Sequence, residues 1–223
     1  PDIRVSDALE RKLYVIRKSS SHAIQALDLR HGKEFFVSSM SARTIVYKCL
    51  LLADQVGVYY KDLQDERCVS ALALVHQRFS TNTFPEWPLA HPFRLIAHNG
   101  EINTLLGNVN WMRSHETRLA DHRFGEHIDD IKPIIQAGSS DSAALDAVFE
   151  LLVRTARELP EVKSLLIPEA WEKSDMLPRA HRDFYAYSNS VMEPWDGPAA
   201  ICAYGGRWVI AGMDRNGLRP MRY

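Results

Sequence analysis

Two short apolar runs, residues 71–75 (ALALV) and 95–97 (LIA), bracket a segment crowded with polar and ionisable groups. The segment spans residues 76–103 (HQRFSTNTFPEWPLAHPFRLIAHNGEIN) and constrains the chain more than any other stretch. Both runs are too short for core helices and are bounded by polar and turn-forming residues, so they read as buried strands. His76, Gln77 and Arg78 then fall where one strand ends, and His98, Asn99 and Gly100 where the next ends. Side chains gathered at strand ends on a rigid scaffold are a common way to build a site. Within the segment, 84–88 (FPEWP) is stiff and extended, because each proline drives its predecessor out of the helical region. Trp87 is expected to pack into the core.

The rest of the chain alternates strand and helix signals. Residues 2–18 suggest a short helix near 7–11, capped by Ser6, then a strand-like 13–16 before the serines at 19–21. Residues 35–39 and 44–49 are rich in aromatic and β-branched side chains and predict two more strands. After Asn99-Gly100, the spacing of Ile102, Leu105, Leu106, Val109 and Met112 predicts an amphipathic helix reaching about residue 120, with Glu101 in its first turn. Gly138-Ser139-Ser140-Asp141-Ser142 introduces the clearest helix, with Ser140 or Asp141 as its N-cap and Leu145, Val148, Phe149 and Leu152 as its apolar face. Short helices are expected over 160–195. Residues 198–212 read as a hairpin closed by Gly205-Gly206, followed by a turn at Asp214-Arg215-Asn216-Gly217. Strands mixed with covering helices define an α+β or α/β layered domain.

Composition narrows the function classes. Lys plus Arg number 27 against 28 Asp plus Glu, without a basic stripe, so electrostatics give no reason to expect nucleic acid or an anionic membrane surface. No apolar run approaches the roughly 18 residues of a membrane span, and residues 1–12 lack the apolar centre of a secretory signal. Cys49, Cys68 and Cys202 are widely spaced and odd in number, which fits a reducing cytoplasm and three small buried side chains better than disulfides or a metal knuckle.

Three chemistries compete for the polar segment. His76, His91 and His98 could hold a metal, but their spacing matches no helical ligand pair and no supporting carboxylate stands beside them. A Ser/His/Asp hydrolase is disfavoured, since no G-x-S-x-G elbow exists and Ser139-Ser140-Asp141 opens a helix rather than following a strand. The third reading uses Arg78 as a two-pronged clamp for a carboxylate. Asp141 is then the partner of an ammonium, kept ionised by its helix N-terminus. Asn99 and Gly100 supply hydrogen bonds to an oxyanion. One guanidinium and one carboxylate facing each other across a cavity suit an α-amino acid, and an amide pair at its floor suits attack on a side-chain carbonyl. Glutamine hydrolysis has that form.

Residues 76–104 closely resemble the glutaminase domain of glutamate synthases, a class II, N-terminal-nucleophile glutamine amidotransferase domain of the large (alpha) subunit. The likeness continues through 42–48 (ARTIVYK), 138–146 (GSSDSAALD), 168–171 (PEAW), 193–199 (EPWDGPA) and 214–223 (DRNGLRPMRY). It implies a four-layer αββα sandwich of two antiparallel sheets. It also implies Arg78 as ligand of the glutamine α-carboxylate with Phe79 and Thr81 beside it, Asp141 at the α-amino group, and Asn99 and Gly100 as the oxyanion hole. The resemblance further implies FMN and an iron–sulfur cluster in the full-length enzyme but none in this stretch. Partners would be glutamine and glutamate, the remaining domains of the subunit and a small NAD(P)H-oxidising subunit. One departure matters. The family nucleophile is an N-terminal cysteine whose own α-amino group is the base, whereas Cys49, Cys68 and Cys202 are internal and Pro1 cannot replace it. Residues 1–223 are therefore expected to be an internal part of a single domain, incomplete at its N-terminus and inactive alone. A catalytically dead amino-acid-binding or regulatory module is the alternative.

Overall fold

The computed structural model describes residues 3–80 and 83–223. Mixed helices and antiparallel strands make up the fold. In chain order the regular elements are α1 (Ile3–Ala26), α2 (Ala53–Tyr59), β1 (Ile96–Gly100), α3 (Leu105–Glu116), α4 (Asp141–Arg154), α5 (Leu159–Leu166), α6 (Arg179–Val191), β2 (Ala199–Tyr204) and β3 (Val209–Met213). The three strands form one sheet in the order β1-β2-β3, with Ile96 opposite Ala203 and Gly100 opposite Ala199.

Helix α4 is the template on which β1 is laid. Ser140 caps it, its Oγ accepting the Ala143 N–H at 3.2 Å. Leu145, Val148, Phe149 and Leu152 are buried along the predicted apolar face. A second buried stripe of Asp146, Glu150 and Arg154 runs at intervals of four residues. The Asp146 carboxylate accepts the backbone N–H groups of Arg94, Leu95 and Ile96 at 3.1, 2.9 and 3.0 Å, fixing where the strand begins. Glu150 pairs with Arg17 and Arg154 pairs with Glu10, which joins α4 to α1.

That pairing explains why residues 13–16 are helical rather than strand-like. The buried face of α1 is Glu10, Tyr14, Arg17 and Lys18, a helical spacing written largely in polar residues. A search for apolar periodicity cannot see it. The serines at 19–21 do not break the helix, because Ser19 and Ser21 return their hydroxyls to the carbonyls of Ile16 and Arg17.

Other expectations are also revised. Residues 35–39, 44–49 and 71–75 lie outside any strand. The last run has the alternating exposure of an extended chain, with Val75 78% exposed, but it has no ladder partner among the described residues. A strand needs a neighbour for its N–H and C=O groups, and β propensity alone does not supply one. Helix α3 begins at Leu105 and stops at Glu116, leaving Glu101 in the preceding loop. The β2–β3 hairpin closes at the Tyr204–Val209 pair, so its loop is Gly205-Gly206-Arg207-Trp208 rather than two residues. Trp87 starts a short 3-10 turn, is 48% exposed, and meets the edge of Phe79 instead of entering the core. Of the cysteines, Cys68 is exposed and the other two are half-buried; all three are free.

Candidate active site

β1 ends at a corner where two backbones press together. Asn99 is exposed there, and its side-chain amide has no partner among the described residues. Gly100 lies opposite Ala199, and a Cβ on it would stand 1.9 Å from the Pro198 carbonyl oxygen and 2.8 Å from Ala199 Cα. Gly197 returns the constraint, since a Cβ there would fall 2.1 Å from the Glu101 oxygen. Only glycines permit this approach. The Glu101 and Asn103 N–H groups then donate to the carbonyls of Pro198 and Asp196, each at 2.8 Å.

Behind Pro198, Asp214 holds the far side of the corner. Its carboxylate accepts N–H groups from Ala199, Asn216, Leu218 and Arg219 at 2.9–3.1 Å. Burial alone would raise its pKa, but these four donors bring it down to about 2. The Asp-x-Asn-Gly turn signal pointed to this bend, though not to its role in bracing Pro198-Ala199.

Asp141, the first residue of α4, reaches the same corner. Its Oδ2 accepts the Ile102 N–H at 2.8 Å, and its Oδ1 accepts the Ser142 N–H at 2.7 Å. The helix start and the loop after Gly100 are thus joined through one carboxylate. Ser142 in turn lies 2.7 Å through its Oγ from Nδ1 of His98, a buried side chain on β1. Burial lowers the His98 pKa, against the opposing pull of Asp141.

Arg78 sits on the extended run beside β1. Its side chain is exposed and carries no ion pair among the described residues. His76 ties this run to the strand: its Nδ1 is 2.8 Å from the Arg78 carbonyl oxygen and its Nε2 is 3.1 Å from that of His98. The Phe79 carbonyl accepts the His91 N–H at 2.9 Å. Thr81 lies outside the described residues. His76 and His91 stack face to face, 4.1 Å between ring centroids, and neither ring nitrogen of His91 has a hydrogen-bond partner among the described residues. Burial, reinforced by His76 and His98, pushes the His91 pKa down to about 4. Among the described residues no three His, Cys, Asp or Glu side chains are placed to share a metal ion.

A separate cavity of about 560 Å³ is lined by Phe36, Lys48, Cys49, Tyr60 and Trp87, among others, and by none of Arg78, Asn99, Gly100 or Asp141. Lys48 donates there to the carbonyls of Trp87 and Ala90 at 3.0 and 2.6 Å.

An exposed amide and a close-packed glycine at a strand end thus stand beside a carboxylate at a helix start. The chain belongs to the class-II glutamine amidotransferases: the model of that family, described as "Glutamine amidotransferases class-II", matches residues 2–223. It is 54% identical over 220 residues to the glutamate synthase [NADPH] large chain of Azospirillum brasilense, covering 98% of this chain. Identity is 50% over 222 residues to the large chain from Bacillus subtilis, covering 100% of this chain. It is 45% over 217 residues to the ferredoxin-dependent glutamate synthase of Antithamnion, covering 96%. The chain spans 14% of the length of each of these three relatives.

Proposed function

We propose that residues 1–223 form the glutamine-binding and oxyanion-stabilising part of a glutaminase within a glutamate synthase. Arg78 takes the α-carboxylate, with Phe79 and Thr81 beside it, and Asp141 takes the α-amino group. The Asn99 side chain and the Gly100 N–H hold the oxyanion formed when a thiolate attacks the side-chain amide carbon. The amide C–N bond then breaks to release ammonia and leave a thioester, which water hydrolyses to glutamate, and the ammonia passes to reductive amination of 2-oxoglutarate elsewhere in the enzyme. The observation that carries this reading is the Asp141–Ile102 hydrogen bond, which sets the helix-start carboxylate two residues from Gly100.

The complete domain in this reading is a four-layer αββα sandwich of the N-terminal-nucleophile type, and 1–223 is an internal part of it. The nucleophile comes from outside these residues, because none of Cys49, Cys68 and Cys202 carries a free α-amino group, and so 1–223 alone turns over no glutamine. FMN and an iron–sulfur cluster supply electron transfer in the full-length enzyme. Other parts of that enzyme hold these cofactors in this reading. A small NAD(P)H-oxidising subunit and a cytoplasmic location complete the proposal; among the described residues no helix is long and apolar enough to cross a membrane.

The test is Asn99→Ala in the full-length enzyme. Loss of one oxyanion donor is expected to lower kcat for glutamine hydrolysis by about 10²–10³-fold while KM changes little. Equal losses in turnover and in glutamine affinity would overturn the oxyanion role.

A further inference from the structure

The segment that carries the corner, residues 98–102, is clamped at both ends to the first two residues of α4. At its far end the Ile102 N–H donates to Asp141 Oδ2 at 2.8 Å. At its near end His98 Nδ1 meets Ser142 Oγ at 2.7 Å. The clamp closes on itself, because the Ser142 hydroxyl donates to Asp141 Oδ1 at 3.3 Å and the Ser142 N–H donates to the same oxygen. The His98 ring thus meets the Ser142 oxygen through Nδ1, with donor and acceptor set by the imidazole tautomer, while its Nε2 is buried without a hydrogen-bond partner of good geometry among the described residues. It faces Gly100, where a Cβ would stand 2.8 Å from it.

A core-facing strand position only 2% exposed would ordinarily hold an aliphatic side chain. Burying an imidazole there is unfavourable unless its polar atoms are used. Its use here is geometric: it fixes the strand end relative to the helix start, and so fixes Asn99-Gly100 relative to Asp141. Oxyanion donors are effective when they are held in place before charge develops.

We propose that His98 and Ser142 are positioning residues that lock the oxyanion corner and the amino-group carboxylate into one rigid unit, so that glutamine is oriented at both ends by the same clamp. This rests on the glutaminase reading above.

The test uses the full-length enzyme and three variants. Ser142→Ala removes the hydroxyl, His98→Phe keeps an aromatic ring without the bond, and His98→Asn keeps an N–H donor close to the Nδ1 position. Small displacements of a reacting group cost up to about 10²-fold, so Ser142→Ala and His98→Phe are expected to lower kcat/KM for glutamine by about 10–100-fold. His98→Asn should restore most of that loss, while the melting temperatures of all three stay near that of the parent. Wild-type turnover in Ser142→Ala, or activity that merely tracks thermal stability across the three, would overturn the clamp. Asn99→Ala, measured alongside, separates the two ideas. If it keeps full turnover, the glutaminase reading fails; if it loses turnover while Ser142→Ala and His98→Phe do not, the clamp alone fails.

Discussion

Two glycines within eight residues show how context decides a side chain. Gly107 faces open space on α3, whereas a Cβ at Gly100 would meet Pro198 O. Gly107→Ala is therefore expected to stabilise the protein by about 0.5–1 kcal/mol through helix propensity. Gly100→Ala should cost about 1–3 kcal/mol as overpacking against a backbone that cannot step aside. Urea midpoints of the two variants check both signs. Asp214 is a second residue whose importance is geometric. Asp214→Ala strips a shared acceptor from four N–H groups, of which that of Ala199 is buried, and a loss of about 1–3 kcal/mol is expected from leaving that donor unpaired. Its depressed pKa makes this stability present above the ordinary carboxylate range and lost as pH falls toward 2. Asn99, Gly100 and Asp141 could be found from the sequence because chemistry restricts the residue types that can do their proposed work. The bracing of Ala199 by Asp214 and the His98–Ser142 contact could not, because they join residues 15 and 44 positions apart.

Helix α4 and its contacts govern the elements. Its apolar stripe and cap were legible in the spacing after Ser140, and α5, α6 and the hairpin strands followed from local signals of the same kind. Helix α1 was not legible as one helix, since its inward face is charged. Arg17 and Glu150 are both buried, and Arg17, Arg94 and Arg154 together hold the Glu150 pKa down although burial opposes them. Glu150→Ala leaves the buried Arg17 without its carboxylate and is expected to cost about 3–5 kcal/mol. Replacing both partners, Arg17→Met with Glu150→Leu, should cost far less, because neither charge is then stranded. A denaturant-based double-mutant cycle distinguishes a coupled pair from two independent side chains. If the double variant is no better than Glu150→Ala, the charges matter individually rather than as a pair.

At the scale of the whole molecule, the buried lysines set how stability responds to pH. Burial pushes Lys18 and Lys48 each down to about 7, well below the ordinary lysine range; Lys18 donates to the carbonyls of Pro133 and Ile134, and Lys48 to those of Trp87 and Ala90 while lying over the rings of Phe36 and Phe93. Between pH 7 and about 10 the unfolded chain binds protons that the folded chain does not, so stability should rise with pH in that window. Unfolding midpoints at pH 7, 8 and 9 are expected to climb, and a Lys18→Met/Lys48→Met double variant should flatten the climb; an unchanged slope would contradict it. The same distinction between local and long-range causes runs through the fold. The sequence by itself determined the α4 helix with its cap, the β2–β3 hairpin strands and the family. These depend on spacing, turn residues and functional groups that act over a few positions. Only the tertiary structure decided that 71–75 has no ladder partner among the described residues, that a charged face could bury α1, and that Asp141 and Ser142 grip both ends of the Asn99-Gly100 corner. A hydrogen-bond partner distant in sequence is chosen by how the packed elements meet, and no local pattern of residues encodes that meeting.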